Sequence, residues 1–240
     1  MATSDGPGFG RDDLRARYAV VTVDEDEWHC HSDAVTMATV RKYLPKAFVT
    51  ELGWVLNAGA GVSRLGFPRE ISVDLFPEPI AGRQYPVCAS IARLPFRSSS
   101  IDAVVCVGEV LAYCDPSEAI SEFARVMRPN GRLIIDFGST KSWRVFATPQ
   151  HGEAATALVY DYNGSEEKTW IYDPDYISHL LTGAGYRVIA MQGAHAWSSI
   201  ARRFGLSIQV ALKAEKRLWA RFSPIGGADT ITIVSDLAVS

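Results

Sequence analysis

Cysteine is scarce in this 240-residue chain: there are four, Cys30, Cys88, Cys106 and Cys114, and no two form a C-x-x-C pair. Neither a disulfide framework nor a zinc site is therefore expected. Cys88 and Cys106 fall in apolar stretches that read as buried strands, where cysteine acts as a small hydrophobe. No apolar run reaches the roughly 18 residues of a membrane-spanning helix, and no charged-then-apolar leader opens the sequence. An excess of charge is also missing. Lys+Arg number 24 against 27 Asp+Glu, a net charge of −3, which gives no general attraction to nucleic acid or an anionic membrane. A soluble, cytoplasmic protein is the expectation.

What is present is an ordinary globular composition, 48% hydrophobic and 21% charged, enough to bury one large α/β core with or without a cap. The stretch that organises it is Trp54-Val55-Leu56-Asn57-Ala58-Gly59-Ala60-Gly61. An apolar run ends at a polar residue and a G-x-G, the pattern of a buried parallel strand closing in a tight turn. Glycine there lets a ligand lie against bare backbone. Glu70-Ile71-Ser72-Val73-Asp74 is a second short strand, ending in an acid that could accept both hydroxyls of a ribose. Asp74 stands only 15 positions after Gly59, and Arg64 occupies the place of a third glycine. Both features disfavour a dinucleotide turn, which expects an acid about 20 residues on and a third glycine. The absence of a Y-x-x-x-K pair disfavours a short dehydrogenase as well. An adenosine ligand without a pyrophosphate is the better reading.

Two further blocks follow. Ala92-Arg93-Leu94-Pro95-Phe96 precedes Ser100-Ile101-Asp102-Ala103-Val104, and Arg125-Val126-Met127-Arg128-Pro129-Asn130-Gly131-Arg132-Leu133 leads into an apolar run. With the glycine turn and the acid after the second strand, this succession resembles the class I S-adenosylmethionine-dependent methyltransferases, over roughly Val55 to Phe137. The resemblance implies an α/β, Rossmann-like three-layer sandwich. Its sheet would have seven mostly parallel strands, the last antiparallel, with a β-hairpin lid inserted. It implies S-adenosyl-L-methionine as cofactor, held by Asn57, Ala58, Gly59, Gly61, Asp74, Leu75, Ser90, Ile91, Val107 and Gly108. Two positions depart from the pattern. Asn57 stands where the family has an acid, so it can hydrogen-bond but has no charge to draw the cofactor's ammonium or sulfonium. Ser90 stands where an acid often meets the adenine amine.

The chain divides as 1–52 (an N-terminal helical cap), 53–138 (the cofactor-binding core), 139–172 (a lid insertion) and 173–240 (the rest of the core). Residues 1–10 read as a flexible start, and Arg11 to Tyr18 as a short polar helix. His29 and His31 would share one face of a strand and could touch a metal there, but packing or a lid over the cofactor fits the segment better. A helix capped by Ser32 or Asp33 runs to Pro45, and a second turn spans Lys46 to Leu52. Only eight residues, Val62 to Arg69, separate the glycine turn from the second strand. That allows a stunted helix at Ser63–Leu65 or a bare turn, where a crossover normally needs about a dozen residues. Asp115-Pro116 and Asp173-Pro174 each open a capped helix. Asn163-Gly164 joins two strands as a hairpin with a primed turn, on which Tyr160, Tyr162, Trp170 and Tyr172 alternate. Ala196 to Phe222 is a long basic helical stretch, a solvated face or a patch for an acidic acceptor. Thr230 to Val239 alternates as the last strand.

Methyl transfer from a sulfonium is an in-line displacement, so the protein mainly aligns the acceptor and excludes water. A base is needed only where the nucleophile must lose a proton. Glu109, Tyr113 and His195 are the catalytic candidates, with His151 beside them. No N-P-P-[YF] tetrad follows the fourth strand, which argues against the amide- and nucleobase-methylating branches. The leading expectation is a small-molecule acceptor, without membrane or nucleic acid, in a chain that could pair as a homodimer. A methyltransferase of RNA or protein, or a cofactor-binding relative without transferase activity, stands as the alternative.

Overall fold

The computed structural model describes residues 27–45, 53–162, 165–219 and 225–238. Five helices and nine strands are described: α1 (Glu27–Tyr43), β1 (Val55–Ala58), β2 (Glu70–Asp74), β3 (Tyr85–Cys88), β4 (Ile101–Cys106), α2 (Pro116–Val126), β5 (Met127–Gly138), β6 (Ala155–Tyr162), β7 (Ser165–Tyr172), α3 (Pro174–Gly183), β8 (Tyr186–Ala194), α4 (Ala196–Arg203), α5 (Ile208–Trp219) and β9 (Thr230–Leu237). Seven strands make one sheet in the order β3-β2-β1-β4-β5-β9-β8, and β6 and β7 form a separate hairpin. Strands β1 to β5 run parallel, while β9 is antiparallel to both of its neighbours. This is the expected seven-stranded α/β sheet with its last strand reversed.

Alternation along the strands sorts the core into two faces. Val55, Ala103, Val105, Ile134 and Val234 meet Val40 of α1 and Leu44 just after it. Leu56, Ala58, Val104, Cys106, Leu133 and Ile135 meet Ile120 and Phe123 of α2 and Ile177 and Leu181 of α3. The result is three layers. The Asp115 carboxylate caps α2, accepting from Ser117 N and Glu118 N, and Asp173 caps α3 in the same way through Asp175 N. Arg132 fixes the far end of α1. Its guanidinium donates to the Tyr43 carbonyl and, at 2.9 and 3.2 Å, to both oxygens of Asp236. The order β3-β2-β1-β4 reverses the direction of winding beside β1, so ligands are expected at the carboxyl ends of β1, β2 and β4.

Several expectations change. His29 and His31 lie on helix α1, not on a strand. Two positions apart on a helix they point about 200° apart and share no face; among the described residues no cluster of three His, Cys, Asp or Glu could hold a metal. Ser32 and Asp33 sit inside that helix rather than capping it, and its buried side is His31, Val35, Thr36, Thr39 and Val40, with Ala38 and Lys42 exposed. Cys88 is exposed because β3 is an edge strand. The basic stretch is two helices rather than one, broken over Phe204 to Ser207. The expected flexible start at 1–10, the short helix at 11–18, the turn at 46–52 and Asn163-Gly164 itself lie outside the described residues, but Tyr162 pairs with Ser165 across the hairpin turn.

Between β1 and β2 the structure takes the bare turn. The Glu70 carboxylate replaces the missing helix: it accepts from Leu65 N at 3.0 Å, from Gly66 N at 2.9 Å and from the Asn57 amide at 3.0 Å. Because this one carboxylate ties three donors of the turn, Glu70→Ala is expected to lower the free energy of unfolding by about 2 kcal/mol, and Glu70→Gln by less. Urea denaturation of the three proteins measures this.

Candidate functional site

Each parallel strand ends by releasing backbone N–H groups at the carboxyl edge of the sheet, and the site is built from what accepts them. At the end of β2, Asp74 Oδ2 accepts from Gly61 N at 2.8 Å and Oδ1 from Phe76 N at 3.0 Å. Gly61, at φ +48°, is placed by this bond, and its carbonyl accepts from Arg83 at 3.2 Å. Gly59, at φ +68°, has a different use: an added Cβ would come within 2.5 Å of the Val110 side chain. Its bareness lets the segment after β4 close against the turn after β1. An added Cβ on Gly61 or Gly108 would meet nothing within 4 Å, so both turns border open space.

Asp136, near the end of β5, was passed over as a site residue in the sequence. Its carboxylate accepts from Gly108 N at 3.1 Å and Glu109 N at 2.8 Å, which fixes both residues in left-handed conformations, φ +90° and +57°. Burial raises the Asp136 carboxyl to about 7; the two backbone bonds pull it down, and the nearby charges of Glu109 and Asp33 push it up again. Glu109 is half-buried and its Oε1 accepts from Thr230 Oγ1 at 3.0 Å. Asp33 of α1, Glu109 and Asp136 thus bring three carboxyl groups within electrostatic reach at one edge. The signal available beforehand was an acid interrupting the apolar run Leu133-Ile134-Ile135.

The remaining sequence candidates divide. Asn57 is buried, and its amide donates to Ser63 O and Glu70 Oε1, tying the crossover turn. Ala58 and Ile91 belong to the main core. Leu75 is half-buried beside the buried Phe76, and Ser90 is exposed with its hydroxyl accepting from Ala92 N at 3.3 Å. Val107 is half-buried between the sheet and Gly108. Tyr113 closes the short 3-10 turn Val110–Tyr113 that follows Glu109. His151 is exposed, edge-on to Phe146. His195, at φ +61°, is fully buried: Nε2 lies 2.6 Å from Ser32 Oγ, Nδ1 lies 3.0 Å from Ser198 Oγ, and the ring meets His31 edge-on. The structure therefore brings Gly59, Gly61, Asp74, Gly108 and Glu109 around one edge. His195 stands in a separate buried cluster beneath α1.

Residues 52–135 match the family model described as a methyltransferase domain. Over those residues, about a third of the chain, the protein is similar to a methyltransferase domain. A demethylmenaquinone methyltransferase of Mycolicibacterium paratuberculosis is 37% identical over 148 residues, a match covering 52% of this chain and 64% of that protein, just under two thirds of its length. A structure of a putative S-adenosylmethionine-dependent methyltransferase from Listeria monocytogenes superimposes with TM-score 0.63 at 10% identity, covering 86% of this chain and all of that one. A 1,6-didemethyltoxoflavin-N1-methyltransferase of Burkholderia thailandensis, solved with its substrate and S-adenosylhomocysteine, gives TM-score 0.59 at 16% identity over 99% of this chain and 95% of that one. At those identities the two structures show a shared methyltransferase fold.

The residues of the methyltransferase edge fit a nucleoside. An ionised carboxylate offers about four acceptor positions; Asp74 spends two on backbone N–H groups, which leaves two for a diol. The buried Asp136 sets a pH dependence of its own. Because its carboxyl titrates near 7 folded and near 3.8 unfolded, the folded state holds a proton that the unfolded state has lost over that window. Its contribution to stability therefore falls as pH rises from about 4 to 7, with a slope of at most about 1.4 kcal/mol per pH unit, and is flat above. Asp136→Asn removes this slope. Urea unfolding of both proteins between those pH values is expected to show the variant's pH dependence shallower than the wild type's.

Proposed function

We propose that this chain transfers the methyl group of S-adenosyl-L-methionine to a small-molecule acceptor. The observation that carries the reading is Asp74, fixed by Gly61 N and Phe76 N at the end of β2 with acceptor positions to spare beside an open glycine turn. Asp74 grips the ribose hydroxyls, Leu75 borders the base, and the turn from Gly59 to Gly61 lets the amino-acid tail lie against backbone. The bound cofactor supplies an activated methyl group on sulfonium. Gly108 and Glu109 face the reacting end because they follow β4, the strand beside β1.

Glu109 takes the role of general base for an acceptor hydroxyl or activated carbon. Asp136 sets its backbone and Thr230 orients its carboxylate. Tyr113 lines the same side. His195 positions α1 over the edge through Ser32 rather than touching the acceptor. The segment 139–172 forms the lid: it leaves β5 at the carboxyl edge, and Tyr172, nearly fully buried, donates to the Leu111 carbonyl at 3.0 Å in the turn after Glu109. Since the curated relatives are named for demethylmenaquinone, a quinone-type acceptor is the first to assay. A cytoplasmic location goes with this reading, because Cys30, Cys88, Cys106 and Cys114 are all free thiols.

Titration calorimetry with S-adenosylhomocysteine tests the site. Asp74→Ala is expected to weaken binding by about 2–3 kcal/mol, some 30- to 150-fold, through loss of both ribose hydrogen bonds; equal affinity for the two proteins would refute the assignment. With an acceptor in hand, Glu109→Gln is expected to lower kcat on the order of 10²- to 10⁴-fold while cofactor affinity stays the same.

A further inference from the structure

The excursion from β8 to β9 has a feature that cofactor binding and methyl transfer do not use. It leaves the sheet at Ala194 and returns at Thr230, its register partner, which also pairs with Gly138 of β5. It therefore stands on the carboxyl edge, with Asp74 and Glu109. At its tip, between α4 and α5, Phe204 is 80% exposed, Leu206 47% and Val210 52%. Large apolar residues gathered on one exposed tip mark an interaction surface rather than a solvated turn. The turn is well formed: Phe204 N donates to Ile200 O, Leu206 N to Ala201 O, Gly205 has φ +78°, and Ser207 caps α5 through Val210 N and Ala211 N.

Charge follows the apolar tip at a fixed distance. On α5, Ala211, Leu212 and Glu215 are buried, and the opposite face carries Val210, Lys213 and Arg217, with Lys216 at its side, all exposed. At about 1.5 Å per residue, Lys213 and Arg217 stand roughly 4.5 and 10.5 Å up the helix from Val210. That interval matches the roughly 5–10 Å by which interfacial helices enter the boundary of headgroups and acyl chains. The one acid in the sequence between Asp175 and Asp229 is Glu215, and it points inward, where Oε2 accepts from Trp197 N and Ser198 N at 2.8 Å each. The outer face is left cationic although the whole chain has a net charge of −3.

We propose that the α4–α5 tip docks this chain on an anionic lipid bilayer, with Phe204, Leu206 and Val210 entering the acyl boundary and Lys213, Lys216 and Arg217 meeting lipid phosphates. Apolar anchors ahead of cations that reach back to the headgroups is the order a bilayer presents. Because the excursion is rooted at the edge that carries the candidate site, docking brings that side of the sheet towards the membrane. This gives a membrane-dissolved acceptor a short path to Glu109, a corollary that rests on the proposed methyl transfer; the docking itself does not.

Vesicle co-sedimentation of the full chain tests it, using phosphatidylcholine vesicles with and without phosphatidylglycerol, at low and high salt. The expected result is partitioning onto the anionic vesicles that weakens with salt. Phe204→Glu should reduce it about tenfold or more, and Lys213→Gln with Arg217→Gln about fivefold for each cation removed. Circular dichroism and S-adenosylhomocysteine calorimetry of the same proteins report folding and the cofactor site independently, so failure of docking and failure of the functional reading are told apart. No partitioning by the folded wild type, or equal partitioning by Phe204→Glu, overturns the proposal. So does a concentration-dependent dimer in sedimentation that Phe204→Glu dissolves, or salt-sensitive binding to single-stranded RNA, where vesicles are not bound.

Discussion

Parallel strands that stop together leave a row of backbone N–H groups with no strand or helix to receive them, and in this chain carboxylates receive them. Asp74 takes those of Gly61 and Phe76 and Asp136 those of Gly108 and Glu109, while Glu70, at the start of β2, does the same for Leu65 and Gly66 in the crossover turn. An unsatisfied buried N–H costs about 1–3 kcal/mol, so these contacts decide whether the edge holds a shape. They also decide which shape, because a carboxylate bonded to two successive amides fixes the turn between them. The positive φ of Gly108 and Glu109 goes with this geometry.

The three acids serve the same purpose in different surroundings. Asp74 and Glu70 are half-buried, where water solvates the rest of each carboxylate and charge-assisted bonds stabilise the turn at little cost. Asp136 is 2% exposed, and there the desolvation of its charge exceeds the gain from two backbone bonds, which is why its carboxyl rises to about 7. The neighbouring charges of Glu109 and Asp33 act in the same direction. At neutral pH this edge therefore carries less negative charge than three acids suggest, and the charge it carries responds to any cation brought near it. A positive ligand over the edge would favour the ionised form of Asp136.

The centre of the sheet was legible because burial on both faces forces near-continuous apolar runs, as in β1, β4 and the end of β5. The motif blocks were legible for a structural reason as well as a functional one. Arg125 donates to the carbonyls of Leu94 and Phe96, at 3.1 and 2.8 Å, and Glu122 accepts from Leu94 N, so the Leu94-Pro95-Phe96 block and the helix before β5 constrain each other. Asp74 and the glycines of the first turn lie at the carboxyl ends of β2 and β1, the edge where such sheets are expected to bind ligands. Asp136 was missed because period-two reasoning marks an acid in a buried strand only as an interruption, and its partners lie 27 and 28 residues away. The start of α1 was missed because Ser32 and Asp33 look like caps, yet they sit mid-helix, where the Ser32 hydroxyl meets His195 from 163 residues away. The two-helix break at Gly205 was visible as a glycine but read through, since the cationic residues on either side suit one continuous solvated face.

Three segments outside the family blocks converge on the same edge. The first turns of α1 reach it through Ser32 and Asp33, the hairpin insertion through Tyr172 on the turn after Glu109, and the α4–α5 excursion through Thr230 on Glu109 itself. In the proposed reading the cofactor is held by strand ends that the motif blocks specify, and the acceptor by segments attached at those ends. Strand ends are held in register by the ladder and cannot shift singly. The attached segments lie outside the ladder and are held by packing and by contacts at the strand ends. On the proposed methyl transfer, acceptor preference is set by α1, the hairpin and the excursion, the parts whose sequence follows no shared pattern and whose placement depends on contacts far apart in the chain.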